Sequence, residues 1–382
     1  MNYANRKAQE LLHTPEGVRD SFGDEYWFKQ KTIGKIADRI HLYGYRDIQT
    51  PSFEYFDVFS NEIGTTPSRE LFKFFDKEGN TLALRPDFTP SVARCAAKYF
   101  MDDLEPIRFS YQGNTFVNRL DLQGRRKETT QMGAELINDP SAEADGEMIS
   151  LLIECLLETG LTEFQISVGN VEYFRGLCES LDMSGELEMD LREEISGKNY
   201  YAAENLLRRE GYARGERDLF LRLQYFMNTN QELERALDAA PGQRAHDAVQ
   251  RLIDVRNVVD AYGLSRYVNI DLSLLSKYHY YTGVIFKGYT YGTGEPISSG
   301  GRYDQLLAQF GKSAPAIGFM LSIDPLIEAL HGQHIAGESE PEIRKVFYTP
   351  GEEGSYQKAL EEAQKYRGEG IRTELLPDDG DR

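Results

Sequence analysis

Apolar residues recur at helical spacing over residues 24 to 43 (DEYWFKQKTIGKIADRIHLY), which predicts a first amphipathic helix. GYRDIQTPSFE then reads as a turn and a strand. In ELFKFFDKEGNTLALRPDFT two apolar arms flank the turn KEGN, the pattern of a β-hairpin. Thr89 and Pro90 follow as an N-cap and first-turn pair and open the helix SVARCAAKYF. PIRFSYQGNTFV and ETTQMGAELIN predict two strands around a basic loop. AEADGEMISLLIECLLETG is an amphipathic helix, and FQISVGN another strand.

From about residue 172 to 263 the texture changes to charged helical segments with few strand signals, among them ELEMDLREEISG and AHDAVQRLIDVRNVVDAYG. Strand character returns at YVNIDLSLL and continues through LLSKYHYYTGVIFKGYT (274–290). In that stretch Tyr281 and Gly283 are expected on one face, Tyr280 and Thr282 on the other. PAIGFMLSIDPL (315–326) is a glycine-bearing strand that enters a helix. After the polar linker GQHIAGESEPE, the segments KVFYTP, SYQKALEEAQKYRGEG and IRTELLP spell one βαβ unit. The order predicts an α+β chain in three parts. These are a strand-rich core at 1–171 and 264–331, a helical insertion at 172–263, and a short βαβ region at 343–382.

Composition narrows the classes. A hydrophobic fraction of 40% places the chain among globular rather than disordered proteins. No run approaches the roughly 18 apolar residues of a membrane span. The start, MNYANRKAQELLHTPEGVRD, has no apolar signal core. Cys95, Cys155 and Cys178 are scattered, without metal-ligand spacing or a disulfide framework, which fits a reducing cytoplasm. A net charge of −19 repels nucleic acid except where a local basic patch overrides it. The one compact basic stretch is NRLDLQGRRK (118–127).

Five stretches carry pocket-like chemistry. In LRPDFTP (84–90) Asp87 could hold a ligand ammonium or act as an anion at a helix start. Gln131 and Glu135 lie four apart on a strand and face the same side, toward one cavity or toward solvent. Tyr280 and Tyr281 suit a pocket wall as well as core packing. The paired glycines of SSGGRYD (298–304) mark a place where a ligand or another backbone comes close. The fifth is PAIGFMLSIDPL. His331 and His334 have ligand-like spacing but no third partner in sequence, so no metal is expected. No phosphate-binding loop, dinucleotide fingerprint or nucleophile elbow occurs, and no cofactor is expected.

In this order the five stretches resemble the catalytic core of histidyl-tRNA synthetase, a class II aminoacyl-tRNA synthetase, over roughly residues 10 to 330. TPEGVRD is like that family's opening P-x-G-x-R-D, and YGYRDIQTPSFE is similar to its motif 1, whose proline, here Pro51, lies at a dimer interface. LRPDFTP matches L-R-P-E-x-T, and YYTGVIF matches the end of R-G-L-D-Y-Y-T-G-T-x-F. The resemblance implies a core built on an antiparallel sheet flanked by helices. It also implies that Asp87 and Thr89 bind the α-ammonium of histidine, with Asp one methylene shorter than the usual Glu. Gln131 and Glu135 match contacts to the ammonium and carboxylate region, and Tyr280 and Tyr281 match residues lining the imidazole.

The departures fall on the adenylation machinery. Where motif 2 carries F-R-x-E, this chain has Val117 and Arg119. The histidine-specific arginine falls on Ser276, the aspartate of L-D-Y-Y on His279, and the motif 3 arginine on Pro325. Lys277, one position from the lost arginine, would face the other way on a strand. An arginine that stabilises phosphoryl charge can carry about 10³ in rate, so losing three ends adenylation. Residues 343–382 also fall short of a complete anticodon-binding domain.

A synthetase-like core of this kind is similar to the regulatory subunits of ATP phosphoribosyltransferase. The resemblance implies no catalysis of its own and L-histidine as effector. It implies a short-form catalytic subunit as partner, and a dimer of this chain within a hetero-octamer. No nucleic acid, membrane or cofactor partner is implied. A divergent active synthetase, or an RNA-sensing synthetase-like module, would share the motifs. The first would exchange pyrophosphate, and the second would show a basic surface.

Overall fold

The computed structural model describes residues 11–59, 66–119, 126–225, 227–275, 280–335, 337 and 339–378. The chain divides into two compact units, Met1–Asp20 with Thr32–Ala336, and Ser21–Lys31 with Gly337–Arg382.

The first unit follows the hydropathy pattern closely. Helix α1 (Gly23–Leu42) buries Ile33, Ile36 and Ile40 at helical spacing. Strands β1 (Arg46–Asp47) and β2 (Phe53–Tyr55) follow, and then the hairpin β3 (Lys73–Phe75) and β4 (Thr81–Leu84), which forms a three-stranded sheet in the order β2-β4-β3. Helix α2 (Thr89–Tyr99) leads to β5 (Ile107–Phe116) and β6 (Glu128–Ile137), then α3 (Ala142–Glu158) and β7 (Phe164–Asn170). Six helices come next: α4 (Val171–Ser180), α5 (Gly185–Ser196), α6 (Tyr200–Arg209), α7 (Arg214–Leu221), α8 (Asn230–Asp238) and α9 (Gly242–Ala261). The chain returns through β8 (Val268–Ile270), β9 (Val284–Thr290), β10 (Ser298–Arg302), β11 (Ala316–Ser322) and α10 (Ile323–Gly332).

Eight of these strands form one sheet in the order β1-β5-β6-β11-β10-β9-β7-β8. The six inner strands are antiparallel, and the two edge strands β1 and β8 run parallel to their neighbours. One face carries Ala134, Phe286 and Phe319, all buried, and packs against α3, α9 and α10. The other face carries Gln131, Gly133 and Glu135 of β6 and is covered in part by α2.

In the second unit β12 (Arg344–Tyr348) and β13 (Thr373–Pro377) pair in parallel, with α11 (Ser355–Gly368) between them in sequence. This is the βαβ unit that the sequence predicts. Its small core is Val346, Ala359 and Ala363. The first turns of α1 belong here, with the Arg372 guanidinium 4.8 Å from the Trp27 ring centre.

Two local expectations need correction. Thr89 is not an N-cap. The cap position is Phe88, and the Thr89 hydroxyl instead donates to Glu135 across the sheet face. Tyr280 and Tyr281 do not alternate across a strand, because β9 begins only at Val284. Their rings lie 4.3 Å apart.

The polar centre of the packed face is Asp145 of α3, which is fully buried. Arg302 Nε donates to its Oδ1 at 2.8 Å, and Arg251 Nε of α9 donates to its Oδ2 at 2.7 Å. Burial pushes this carboxyl up, and the two guanidinium groups oppose that shift. Asp145→Asn takes from the buried Arg302 its fully buried counter-charge and leaves it the partly exposed Asp304 at 3.2 Å. The expected cost is about 3–5 kcal/mol of stability, read from chemical denaturation. A cost under 1 kcal/mol would show that water reaches the arginine.

Candidate functional site

The site is built on β6. Gln131 and Glu135 share its pocket face as the period of two requires, and both are buried. The register places Glu135 beside Gly318 of β11, and Gly318 beside Gly301 of β10. Both glycines are required by space. A Cβ on Gly318 would stand 1.5 Å from Glu135 Oε2, and one on Gly301 would stand 2.7 Å from the Tyr281 ring. The Glu135 carboxyl therefore leans over one bare strand and the Tyr281 ring over the next.

Around this floor the polar groups converge. Thr89 Oγ1 donates to Glu135 Oε1 at 3.0 Å, and the Tyr303 hydroxyl donates to Oε2 at 2.5 Å. Tyr111 stacks on Phe88 with ring centres 4.4 Å apart. Tyr280 packs edge-on against Tyr303 at 6.2 Å. Asp87 takes the helix-start role that its sequence allows. Its Oδ1 accepts the Thr89 amide at 2.9 Å, at the helix start, while Oδ2 is buried without a partner. Gln131 Oε1 is likewise buried and unpartnered.

Electrostatics follows from burial. Desolvation pushes Glu135 up to about 8 against the hydrogen bonds from Tyr303 and Thr89, and the nearby Asp87 adds to the rise. Desolvation likewise pushes Asp87 up to about 7, against the Thr89 amide. Two carboxyls and an amide oxygen thus lie on one face of the sheet, acceptors whose chemical complement is a cationic group with several N–H donors.

The described positions that the resemblance aligns with phosphate-binding arginines carry other groups. Val117 is apolar, and Arg119 lies 3.9 Å from Glu70. Beside Pro325, the buried Asp324 accepts the Thr130 amide at 2.7 Å and Arg126 at 2.6 Å. Arg126 also reaches Glu328 at 2.8 Å, so its charge is met within the chain. Ser276, Lys277 and His279 lie outside the described residues. Among the described residues no group of three His, Cys, Asp or Glu could hold a metal ion.

Sequence reasoning missed Tyr303, Tyr111 and the pair Arg126–Asp324. Tyr303 sits in the SSGGRYD stretch, where only the glycines drew notice. The signal available was its spacing: two residues beyond Gly301, it returns to the same face.

The histidyl-tRNA synthetase family model matches residues 17–326. An ATP phosphoribosyltransferase regulatory subunit of Acetivibrio thermocellus is 37% identical, over 98% of this chain and 89% of that protein. A crystal structure from Bacillus halodurans, described as an ATP phosphoribosyltransferase regulatory subunit/histidyl-tRNA synthetase, superposes with a TM-score of 0.88 at 32% identity. It covers 97% of this chain and 94% of its own. The histidyl-tRNA synthetase of a Nostoc species shares the fold with a TM-score of 0.80 at 19% identity, over 95% of this chain and 85% of its own. A chain that keeps the synthetase sheet and is this similar to the regulatory subunits over nearly its whole length belongs to the ATP phosphoribosyltransferase regulatory subunit family.

Proposed function

We propose that this chain is a non-catalytic regulatory subunit that binds free L-histidine and conveys feedback inhibition to a short-form ATP phosphoribosyltransferase in the first step of histidine biosynthesis. The catalytic subunit depends on it for activity. The observation that carries this reading is the pair of buried, unpartnered acceptors, Asp87 Oδ2 and Gln131 Oε1, beside the Glu135 carboxyl. An amino-acid ammonium supplies the charge and the donors that these groups lack. Thr89 completes that end, and Tyr280 and Tyr281 line the imidazole. Val117 and Pro325 offer nothing to a nucleotide phosphate, so histidine is held and not activated.

The chain acts in company. The sheet β2-β4-β3 turns Phe53 and Tyr55, both at least half exposed, to one side, and Phe53 meets Phe74 edge-on at 5.6 Å. This aromatic face adjoins Pro51 and suits a homodimer, with dimers assembled around the catalytic subunit as a hetero-octamer. The working compartment is the cytoplasm, and among the described residues no helix is long and apolar enough to cross a membrane.

The deciding experiment mixes the chain with a short-form catalytic subunit and follows mass, phosphoribosyl transfer and histidine inhibition. Assembly with gain of both properties is expected. A catalytic subunit already fully active and inhibited alone, unchanged on mixing, refutes the reading. The purified chain should show no histidine-dependent pyrophosphate exchange with ATP.

Within the pocket, Glu135→Ala and Gln131→Ala should each weaken histidine binding by roughly 1–3 kcal/mol, measured by calorimetry, because a charged ligand group loses its buried partner. Assembly should survive both changes.

The raised carboxyls also set a pH signature. Unfolded Asp and Glu release their protons near 4, whereas Asp87 and Glu135 hold them to about 7 and about 8 when folded. Their contribution to the stability of the free protein is thus complete below about pH 4 and is lost as pH rises through 7 to 8. Histidine binding needs the ionised forms, so it should release protons at pH 7, detectable as a buffer-dependent calorimetric enthalpy. Glu135→Gln should reduce that release.

A further inference from the structure

The segment that precedes the pocket tyrosines is gripped by the helical insertion. Lys198, just beyond α5, has a left-handed backbone with φ 58° and donates its amide to the Ile195 carbonyl at 2.9 Å. That helix-end position favours glycine or asparagine, and a lysine there is strained relative to either. Its side chain makes two contacts. Nζ lies 3.0 Å from Asp271 Oδ2 and donates to Ser273 Oγ. The Ser273 amide and hydroxyl in turn donate to Asp271 Oδ1, at 2.9 and 2.5 Å. Asp271 and Ser273 are both buried.

This turn is pressed onto the sheet. The Asp271 amide donates to the Val168 carbonyl of β7 at 2.8 Å, and Leu274 donates back to the Asp271 carbonyl at 3.0 Å. A Cβ on Gly169 would stand 2.7 Å from the Asp271 oxygen and 2.9 Å from Leu274 Cβ. Leu274 packs with Val171 and Ile285, and the Tyr281 ring lies against that cluster. Tyr281 itself lies over Gly301 at the pocket floor. A continuous run of contacts therefore leads from an ammonium on the insertion to a ring on the pocket wall. Each step is a hydrogen bond or a close-packed contact.

We propose that Lys198 is a positioning residue through which the helical insertion sets the histidine pocket. This rests on the histidine-binding reading above and assigns the insertion a part in it. By linkage, whatever tightens the Asp271–Ser273 turn favours histidine, and histidine in the pocket favours the insertion docked through Lys198.

The test uses the full chain in five forms: wild type, Lys198→Met, Lys198→Arg, Tyr281→Ala and the double variant Lys198→Met/Tyr281→Ala. Hydrogen exchange is followed without ligand in peptides covering 268–275 and 280–285, and histidine affinity is measured by calorimetry. Lys198→Met should speed exchange in both peptides and weaken histidine about fivefold, with Lys198→Arg recovering most of the loss. The double variant should bind no more weakly than Tyr281→Ala alone, because the lysine acts through that ring. Unchanged exchange, wild-type affinity in Lys198→Met, or fully additive losses would each overturn the inference and leave the histidine reading standing. A wild-type chain that binds no histidine would remove both.

Discussion

A charge taken out of water must be met by its neighbours, and the Arg302–Asp145 pair is where this chain meets that requirement at its centre. Arg302 Nη1 also reaches the Asp139 carbonyl at 3.0 Å and Asp304 at 3.2 Å, so the guanidinium is held from several sides. Such a group cannot rotate without losing partners that no water replaces. Its fixity extends to the pocket because strand side chains alternate. With Arg302 anchored on the helix-covered face, Gly301 and Tyr303 are committed to the other. Gly301 then makes room for Tyr281, and Tyr303 delivers its hydroxyl to Glu135. The buried ion pair sets the register of the pocket wall, and Arg251 ties α9 to the same carboxylate.

The pocket built on that frame is unbalanced in the opposite sense. Where Asp145 is over-supplied with cations, Asp87 and Glu135 have only neutral donors, and each disfavours ionisation of the other. A site of this kind stores unfavourable electrostatics in its empty, ionised state. An ammonium held between them would offset the cost of desolvation and the repulsion together. The same arrangement disfavours an acyl phosphate or a nucleotide at this end of the site, where its negative charge would meet two carboxyls. The cation nearest to motif 3, Arg126, is already bound by Asp324 and Glu328.

Much of this was legible in the sequence because it is local. The separation of four between Gln131 and Glu135 on an alternating strand gave their shared face. The KEGN turn marked the hairpin, and the three C-terminal segments spelled the βαβ unit. What stayed hidden depends on distant partners. Asp145 and Arg302 lie 157 positions apart, and Arg126 and Asp324 lie 198 apart, so no local period relates them. Thr89 shows how tertiary contact overrides a local rule. A threonine before proline reads as a cap, yet Asp87 takes the helix amide and frees the hydroxyl for Glu135. Strand alternation does not place the two tyrosines, because the strand begins three residues later than Tyr281, and their rings lie tilted by 34° at 4.3 Å.

Under the proposed reading, a bound ligand influences a partner only through a difference between states. Tight binding alone changes nothing, because a ligand held equally well by two conformations shifts neither. The pocket described here has a physical source for such a difference. The spacing between Asp87, Gln131 and Glu135 depends on separate elements: the start of α2, the strand β6 and, through Tyr303, the end of β10. A small displacement of α2 against β6 would part Thr89 from Glu135 and change the space around an ammonium. Charge-assisted hydrogen bonds are short and directional, so a displacement of that kind costs the bound state far more than the empty one.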